Sequence, residues 1–277
     1  MIAVVGGGRM GRSLAGVLSG AGEQVVLWSR REAAGAVTDA VSGARTVLLA
    51  VPDDVLEPLA RELALRHAIG ADQVVLHLSG VHTRDILAPL NETGAALGSL
   101  HPLQTITEPS QAGVRWRGAY AAIEGDARAL QEAERLCGLL GLVPVRLPGS
   151  AKAAYHAAAV VASNYVVVLA DIAARIAAAG GVPGEAAERM YLPLLRGAAE
   201  NLQRQLPVDA LTGPIRRGDA ATLRRHLAAL SEPERSLYAR LGLHALALAR
   251  AGGLSVSAGD EIERVLRIPE RVTGPRS

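Results

Sequence analysis

The chain has 277 residues, enough for two domains at roughly 100 to 200 residues each. Its 29 basic and 27 acidic residues nearly cancel, and no basic block carries interleaved aromatic residues, which argues against nucleic acid as a partner. The single cysteine, Cys137, excludes an intramolecular disulfide and a cysteine-based zinc site. The seven histidines are scattered along the sequence, so we expect no metal. We expect a cytoplasmic protein without a cleaved signal peptide, because a predicted strand begins at residue 2.

The first predicted strand, residues 2–5, runs directly into three spaced glycines and a predicted helix at 10–21. In a dinucleotide-binding fold the first such glycine permits a tight turn, the second lets a pyrophosphate approach, and the third lets the helix pack on the strand. Phosphates then lie at the helix N-terminus, where free N–H groups and the helix dipole bind anions. The alternative is a strand-to-helix turn without a ligand. The residues that we assign to this site are Gly6, Gly8, Arg9, Met10 and Gly11.

The second predicted strand, residues 24–28, ends about 20 residues into the motif, where an NAD-binding chain places an acidic residue. This chain has Ser29, Arg30 and Arg31 there. A hydroxyl and two guanidinium groups suit a 2'-phosphate, because arginine presents a planar fork of donors to phosphate oxygens. The sequence therefore favours NADP(H) over NAD. The alternative is that both arginines are ordinary solvated loop charges.

Strands and helices continue to alternate through the first half of the chain. Strands are predicted at 46–51, 73–78, 95–99, 119–124 and 143–147, and helices at 54–66, 83–90 and 127–140. This alternation predicts an α/β fold, a Rossmann-type mainly parallel sheet with helices on both faces. Beyond Pro148 and Gly149 only helices are predicted, at 151–179, 184–206, 220–229, 232–251 and 259–266. We therefore predict a Rossmann NADP-binding domain over 1–149 and an all-helical substrate and dimerisation domain over 150–277, with a loosely ordered tail from Arg267.

Residues 153–179 are long and apolar enough to be weighed as a membrane span. Polar side chains interrupt the stretch, at His156, Asn164, Asp171 and Arg175. Because such groups are costly in lipid, we predict a buried helix and no membrane partner. The apolar excess here and at 237–251 suits pairing of two copies, so we expect a homodimer. The alternative is that both helices bury their apolar side chains within one chain.

A family resemblance becomes specific at the end of the third strand, Leu49-Ala50-Val51-Pro52-Asp53. With a helical domain following, it resembles the ketopantoate reductase, pyrroline-5-carboxylate reductase and prephenate dehydrogenase group. Further segments, Leu78-Ser79-Gly80, 98–103, 155–158, 163–165 and 211–219, resemble a largely uncharacterised Rossmann-like family of NADP-binding proteins. The resemblance covers nearly the whole chain and implies a C-terminal domain like that of 6-phosphogluconate dehydrogenase. The resemblance also assigns four further residues to the cofactor site, namely Ala50, Val51, Pro52 and Ser79.

The resemblance implies an NADPH-dependent reductase of a small keto or imino carboxylate, and some members of the family are alternative ketopantoate reductases. Such an enzyme holds the nicotinamide near an electrophilic carbon and stabilises the charge that forms on the reduced group. Ketopantoate is the substrate that we expect. One alternative is a non-catalytic NADP(H)-binding sensor or interaction protein. Another is a prephenate-like dehydrogenase, suggested by His101-Pro102.

Polar residues mark one face of the predicted long helix. Lys152 and His156 stand four residues apart, and Ser163 falls near the same stripe, with Asn164 about 80° round from His156. In ketopantoate reductases a lysine, and an asparagine four residues later, serve as acid and substrate ligand; here the partner is His156. We predict catalytic roles for Lys152, His156 and Asn164 and a substrate contact for Ser163. The alternative is a solvated Lys152 and a hydrogen-bonded core His156.

The remaining candidates lie where loops are expected. His101 follows a predicted strand end, and a histidine there can donate to a carbonyl oxygen or orient a carboxylate; the alternative is a loop histidine that fills a turn. Ser79 can hydrogen-bond the nicotinamide amide or the substrate, or simply begin a turn. A loop precedes a helix that Asp219 can cap. By the resemblance, this loop supplies the substrate-carboxylate ligands Thr212, Arg216 and Arg217.

Overall fold

The structure is a computed structural model that describes residues 1–31 and 35–267. The chain divides into two compact units, Met1–Asn164 and Tyr165–Ser277. Within the described residues, the first unit holds every strand and the second holds only helices. The predicted loose tail begins at Arg267, and its residues 268–277 lie outside the described residues.

Seven strands form one sheet in the order β2-β1-β3-β4-β5-β6-β7. Their bounds are Ile2–Val5 (β1), Val25–Trp28 (β2), Thr46–Leu49 (β3), Val74–His77 (β4), Ala96–Pro102 (β5), Tyr120–Gly125 (β6) and Val143–Arg146 (β7). Neighbouring strands are parallel except β5 and β6, which are antiparallel. The carboxyl ends of β1 to β5 therefore share one edge, where open α/β sheets bind ligands. The predicted Rossmann-type fold is confirmed.

Helices cover both faces of this sheet. The helices of the first unit are Arg9–Gly20 (α1), Val37–Val41 (α2), Asp53–Leu65 (α3), Ala112–Trp116 (α4), Ala127–Leu140 (α5) and Lys152–Ala162 (α6). Short 3-10 helices lie at Arg84–Thr93, Pro109–Gln111 and Gly149–Ala151. Alternate residues of β1 enter opposite cores: Ile2 and Val4 pack with α1 and α5, whereas Ala3 and Val5 pack with α3. This burial on both faces is typical of a parallel strand.

Two predictions about the first unit were wrong in detail. The segment predicted as an α-helix at 83–90 is a 3-10 helix that contains Pro89, whose ring removes a backbone donor. The strand predicted to end at residue 99 continues to Pro102, because the antiparallel ladder with β6 pairs His101 with Ala122. His101 therefore lies within a strand and not in a loop.

The second unit packs around its own apolar core. Its helices are Asn164–Ala179 (α7), Gly184–Arg189 (α8), Leu192–Leu202 (α9), Pro207–Ala210 (α10), Pro214–Arg217 (α11), Ala220–Ala229 (α12), Glu234–Ala251 (α13) and Val256–Leu266 (α14). The helix predicted at 151–179 is interrupted at Ser163, whose φ of −126° and ψ of −68° are not helical. Asp219 caps α12 as predicted, accepting from Thr222 N–H at 3.0 Å.

The apolar stretch Gly149–Ala179 is not the buried helix that we predicted. It is long and apolar enough to cross a membrane, but none of its most apolar 18-residue window is buried within the chain. Val161 is 58% exposed and Val167 is 71% exposed. An extended apolar surface of this kind is typical of an interaction site.

The close contact of α1 with β1 gives a test of the packing. A Cβ at Gly11 would collide with the carbonyl oxygen of Gly6, whereas a Cβ at Gly16, in the same helix, would meet no atom within 4 Å. We expect Gly11→Ala to lower the free energy of unfolding by about 1–3 kcal/mol. Gly16→Ala, the control, should leave it unchanged or raise it by up to about 1 kcal/mol. Denaturant titration measures both, and equal stability of the two variants would contradict this packing.

Candidate active site

The glycine loop connects β1 to α1, and the fold requires two of its three motif glycines. Gly6 has a φ of +129°, and a Cβ there would collide with the backbone of Ala50; a Cβ at Gly11 would collide with Gly6. Gly8 differs, because a Cβ there would meet no protein atom within 4 Å. A turn without a ligand accounts for Gly6 and Gly11 but leaves Gly8 unexplained. An open backbone at the N-terminus of α1 is what the approach of a pyrophosphate needs.

The other residues predicted to hold the cofactor surround this loop. Ser29 follows β2 and packs against Gly7: a Cβ added to this glycine would lie only 2.5 Å from the Ser29 Oγ. Arg30 and Arg31 come next and are exposed, as is Arg9. The loop after β3 adjoins the glycine loop through Ala50, and Val51 and Pro52 follow it, Pro52 directly preceding α3. Met10 is half-buried and packs on the core.

Four of the seven histidines, scattered in sequence, gather at the carboxyl ends of β4 and β5. They come from three segments, namely β4 with its following turn, β5 and α6, and are His77, His82, His101 and His156. The described residues contain no group of three His, Cys, Asp or Glu side chains that could hold a metal ion. Each histidine therefore has to be understood from its hydrogen-bond partners.

His77 shapes the turn that follows β4. Its ring is fully buried, with Nδ1 accepting from Ser79 N–H at 3.2 Å and Nε2 lying 3.1 Å from the carbonyl oxygen of Thr83. Burial, and then the charge of Lys152, lower the pKa of His77 to about 3, so the ring is neutral. The Ser79 Oγ accepts from the N–H groups of Val81 and His82, which makes Ser79 a turn residue with one hydroxyl proton left to donate.

Lys152 is a buried cation, so the interpretation of a solvated first-turn lysine was wrong. Its side chain is 1% exposed, and Nζ donates to Ser79 O at 3.1 Å and to Ser99 Oγ at 2.7 Å. Ser99 Oγ in turn donates to Glu124 Oε2 at 3.3 Å. Burial lowers the pKa of Lys152 to about 8, opposed by the charges of Glu124 and Asp53. The ammonium group thus ties α6 to the ends of β4 and β5.

His101 and His156 meet in front of Gly80. Their rings stand edge to face with centroids 5.7 Å apart. A Cβ on Gly80 would collide with Nδ1 of His156 and lie 3.0 Å from Nε2 of His101. We call the place where the two rings close over Gly80 the Gly80 notch. Nδ1 of His156 is buried there without a hydrogen-bond partner, so His156 is not the hydrogen-bonded core histidine of the alternative interpretation.

The second nitrogen of His101 is held by Tyr155 on α6. Nδ1 lies 2.9 Å from the tyrosine hydroxyl, and the two rings stand at 90°. Burial, followed by the charges of His156 and Lys152, lowers the pKa of His101 to about 4. Burial also raises the pKa of Tyr155 to about 12, against a backbone hydrogen bond from Ala122. Both side chains are therefore neutral at physiological pH.

Five predicted residues remain untested. Ser163 Oγ is 2.7 Å from Ala159 O and 2.9 Å from Oδ1 of Asn164, at the break between α6 and α7. Asn164 is exposed. The carboxylate ligands Thr212, Arg216 and Arg217 belong to the second unit, where Arg216 is half-buried and the other two are exposed. Their roles remain predictions.

Sequence reasoning missed four residues of this network, namely His77, Ser99, Glu124 and Tyr155. Two signals could have found some of them. Ser99 precedes His101 by two residues, so both lie on one face of a strand. Tyr155 stands three residues after Lys152 on the same helix face. His77 and Glu124 depend on strand pairing, since Glu124 lies opposite Ser99 in the ladder between β5 and β6.

Comparisons with known proteins agree with this architecture. The family profile of a Rossmann-like domain matches residues 1–102, and that of a domain of unknown function (DUF2520) matches residues 119–245. The predicted resemblance to a Rossmann-like family with a helical C-terminal domain is confirmed. No curated protein sequence matches the chain.

Solved structures share the fold over nearly the whole chain. A protein of Thermotoga maritima is 24% identical with a TM-score of 0.70, covering 91% of this chain and 99% of its own. An imine reductase from Myxococcus stipitatus in complex with NADP+ is 18% identical with a TM-score of 0.61, covering 96% and 93%. Pyrroline carboxylate reductase from Plasmodium falciparum, with NADP bound, is 12% identical with a TM-score of 0.60, covering 95% and 97%.

The buried histidines predict a specific dependence of stability on pH. The native pKa is about 3 for His77 and about 4 for His101, whereas a histidine in the unfolded chain titrates near 6.5. Between these values the unfolded chain binds more protons, so the free energy of unfolding falls as the pH drops from about 6.5 to about 4. His77→Gln removes one of the two contributions and should make this fall shallower. Denaturant unfolding at several pH values tests it, with the exposed His244→Gln as control; an unchanged slope in His77→Gln would contradict the assignment.

Proposed function

We propose that this chain, which joins a Rossmann-like domain to a DUF2520 domain, is an NADPH-dependent oxidoreductase. Its substrate is a small keto or imino carboxylate, with ketopantoate the one that we favour. The observation that carries the proposal is the open glycine loop at Gly8, which lies at the same edge of the sheet as His101, Lys152 and His156. The imine reductase and pyrroline carboxylate reductase that share the fold, both with NADP bound, support it.

The cofactor site of the proposal begins at the N-terminus of α1. Gly8 leaves its backbone open to a pyrophosphate, and Ser29, Arg30 and Arg31 offer a hydroxyl and two cations for a 2'-phosphate. The bound cofactor supplies a hydride. The loop after β3 lies against the glycine loop and continues the site toward β4 and Ser79, which follow along the same edge.

The substrate site of the proposal lies beside Ser79 and the notch. Hydride addition to a C=O group develops negative charge on the oxygen, which N–H donors stabilise. A protonated C=N group instead loses its positive charge when the hydride is added. His101 is positioned to donate there. The Lys152 ammonium group donates to the carbonyl oxygen of Ser79, the residue before Gly80. For the substrate carboxylate we retain the arginines of the second unit, Arg216 and Arg217, because a guanidinium binds a carboxylate in a bidentate manner.

Cofactor binding tests the first half of the proposal. Gly8→Ala should fold as the wild type does, because a Cβ there meets no protein atom, yet it should raise the Kd for NADPH at least about 10-fold by blocking the pyrophosphate. Gly16→Ala, also open, is the matched control and should bind normally. Replacing Arg30 and Arg31 by Ala should weaken NADPH and spare NADH. NADPH fluorescence titration measures all of these, and a wild type that does not bind NADPH overturns the proposal.

Turnover tests the second half. We would follow NADPH absorbance with ketopantoate, pyrroline-5-carboxylate and other 2-keto acids. His101→Ala should lower kcat by about 100- to 1,000-fold, the usual loss for one oxyanion donor, while NADPH affinity is retained. His244→Ala, on α13, is the control. Tight NADPH binding without turnover across the panel would contradict the reductase and favour an NADP(H)-binding sensor.

A homodimer is the partner that we propose for the exposed apolar helices. Val161, Tyr165 and Val167, on α6 and α7, are each more than half exposed. We expect light scattering to give about twice the chain mass of 28.7 kDa. Val167→Asp should shift the protein to the monomer mass, whereas Leu65→Asp, at an 81% exposed position on α3, should not. A monomeric wild type would contradict the proposal.

A further inference from the structure

We infer that His82, oriented by Asp53, is the residue that delivers the proton when a keto acid is reduced at this edge of the sheet. The inference rests on the proposed function, because hydride addition to a C=O group is completed by a proton on its oxygen. Two observations carry it. The pair is open to water beside the candidate active site, and the neighbouring histidines and lysine are held in buried contacts.

His82 and Asp53 face each other at the protein surface. Nε2 of His82 lies 3.9 Å from Oδ2 of Asp53, and 40% of the His82 side chain and 48% of the Asp53 side chain are exposed. A carboxylate beside an imidazole orients the ring and leaves the second ring nitrogen for proton transfer. Catalytic contacts of this kind commonly shorten when substrate binds. The nitrogen left for the substrate is Nδ1 of His82.

Both members of the pair belong to loops at the candidate active site. Asp53 begins α3 directly after Pro52, and His82 lies in the turn after β4, where its backbone N–H donates to Ser79 Oγ at 3.1 Å. The two loops are adjacent because β3 and β4 are neighbours in the sheet. Burial lowers the pKa of His101 and of Lys152, and the charge of Asp53 opposes this in both. Asp53 therefore lies within electrostatic reach of the active-site cluster.

The other ionisable groups of the cluster are poorly placed to exchange a proton with substrate and water. His77 is fully buried, with both ring nitrogens engaged by the backbone, and Nδ1 of His156 has no accessible surface. The Lys152 side chain is 1% exposed and is tied to two acceptors inside the protein. His101 has a pKa of about 4, because of burial first, so its neutral ring can donate a hydrogen bond but holds no spare proton. His82 has the exposure that these groups lack.

The proton balance of the reaction closes through His82. The carbonyl carbon accepts the hydride that the proposed cofactor supplies, and the electron pair of the C=O bond moves onto the oxygen. The oxygen takes the proton from Nδ1 of a doubly protonated His82, which gives the alcohol. His82 is left neutral and takes its next proton from water, which reaches the exposed ring.

Substitution of His82 tests proton delivery, with NADPH absorbance as the measure of turnover on the keto acids. His82→Ala should lower kcat about 100-fold or more, the usual contribution of a general acid, at unchanged Kd for NADPH. The variant should fold, because the backbone N–H of residue 82, and not its ring, holds the turn. His244→Ala, exposed on α13, is the control. An unchanged kcat in His82→Ala would overturn the inference.

Added imidazole separates proton delivery from a structural role of the ring. In His82→Ala, imidazole should restore part of the lost kcat. Pyrazole, a ring of the same size that takes up no proton at neutral pH, should restore none. The absence of any restoration, or equal restoration by both rings, would contradict proton delivery by His82.

Asp53 is the positioning residue of the pair, and a double-mutant cycle tests it. Asp53→Asn keeps the shape of the side chain and should lower kcat about 10-fold, within the range for coupled neighbours. In a His82→Ala background the same change should cost nothing further, because Asp53 acts through His82. Asp54→Asn, exposed in the same turn of α3, is the matched control. Multiplying losses would contradict the pairing.

Protection from chemical modification tests the location of His82 without turnover. Diethyl pyrocarbonate acylates exposed imidazole rings, and mass spectrometry identifies the modified residues. His82 and His244 should both react in the protein alone, and NADP+ together with pantoate, the alcohol formed from ketopantoate, should protect only His82. An unprotected His82 in a protein that binds NADP+ would overturn the inference and leave cofactor binding intact. A wild type that reduces no keto acid overturns the proposed function, and the inference falls with it.

Discussion

The site depends on one buried ammonium group. Moving the Lys152 side chain out of water is costly, and the structure offsets that cost with Ser79 O, Ser99 Oγ and, through Ser99, the carboxylate of Glu124. Ser79 follows β4, while Ser99 and Glu124 lie opposite each other within β5 and β6, so the lysine can satisfy its charge only when α6 docks against this part of the sheet. The docking brings Tyr155 to His101 and His156 to Gly80. One electrostatic requirement therefore places the whole histidine arrangement.

Local patterns in the sequence were enough for the glycine loop and for the helix face. Gly6, Gly8 and Gly11 are close in the chain, and their spacing carries the geometry of a strand-to-helix turn. Lys152 and His156 share a face because they are four residues apart. The partners of that face could not be predicted locally, because Ser99 lies 53 residues from Lys152 and becomes its acceptor only through the order of the strands. Antiparallel pairing with β6 likewise turned the expected loop at His101 into strand.

At the carboxyl edge of the sheet, two features are not explained by packing, and on α4 the Nε1 of Trp116 is also buried without a hydrogen-bond partner. The openness at Gly8 serves no contact within the protein, and the buried Nδ1 of His156 forms none. Natural sequences depart from the requirements of packing and hydrogen bonding mainly at functional sites. Both departures lie along the same edge of the sheet, where open α/β folds bind their ligands. The proposal assigns the open backbone of Gly8 to the phosphates of a cofactor.

The central claim is that the nicotinamide end of a cofactor held by the glycine loop reaches the Gly80 notch. A crystal structure of the protein with NADP+ tests it most directly. We expect the pyrophosphate on the backbone of Gly8 and the nicotinamide ring directed toward His101, so that a substrate carbon bound beside His101 would lie within about 3.5 Å of C4. A nicotinamide directed away from His101 and His156, or a cofactor bound elsewhere, would contradict it.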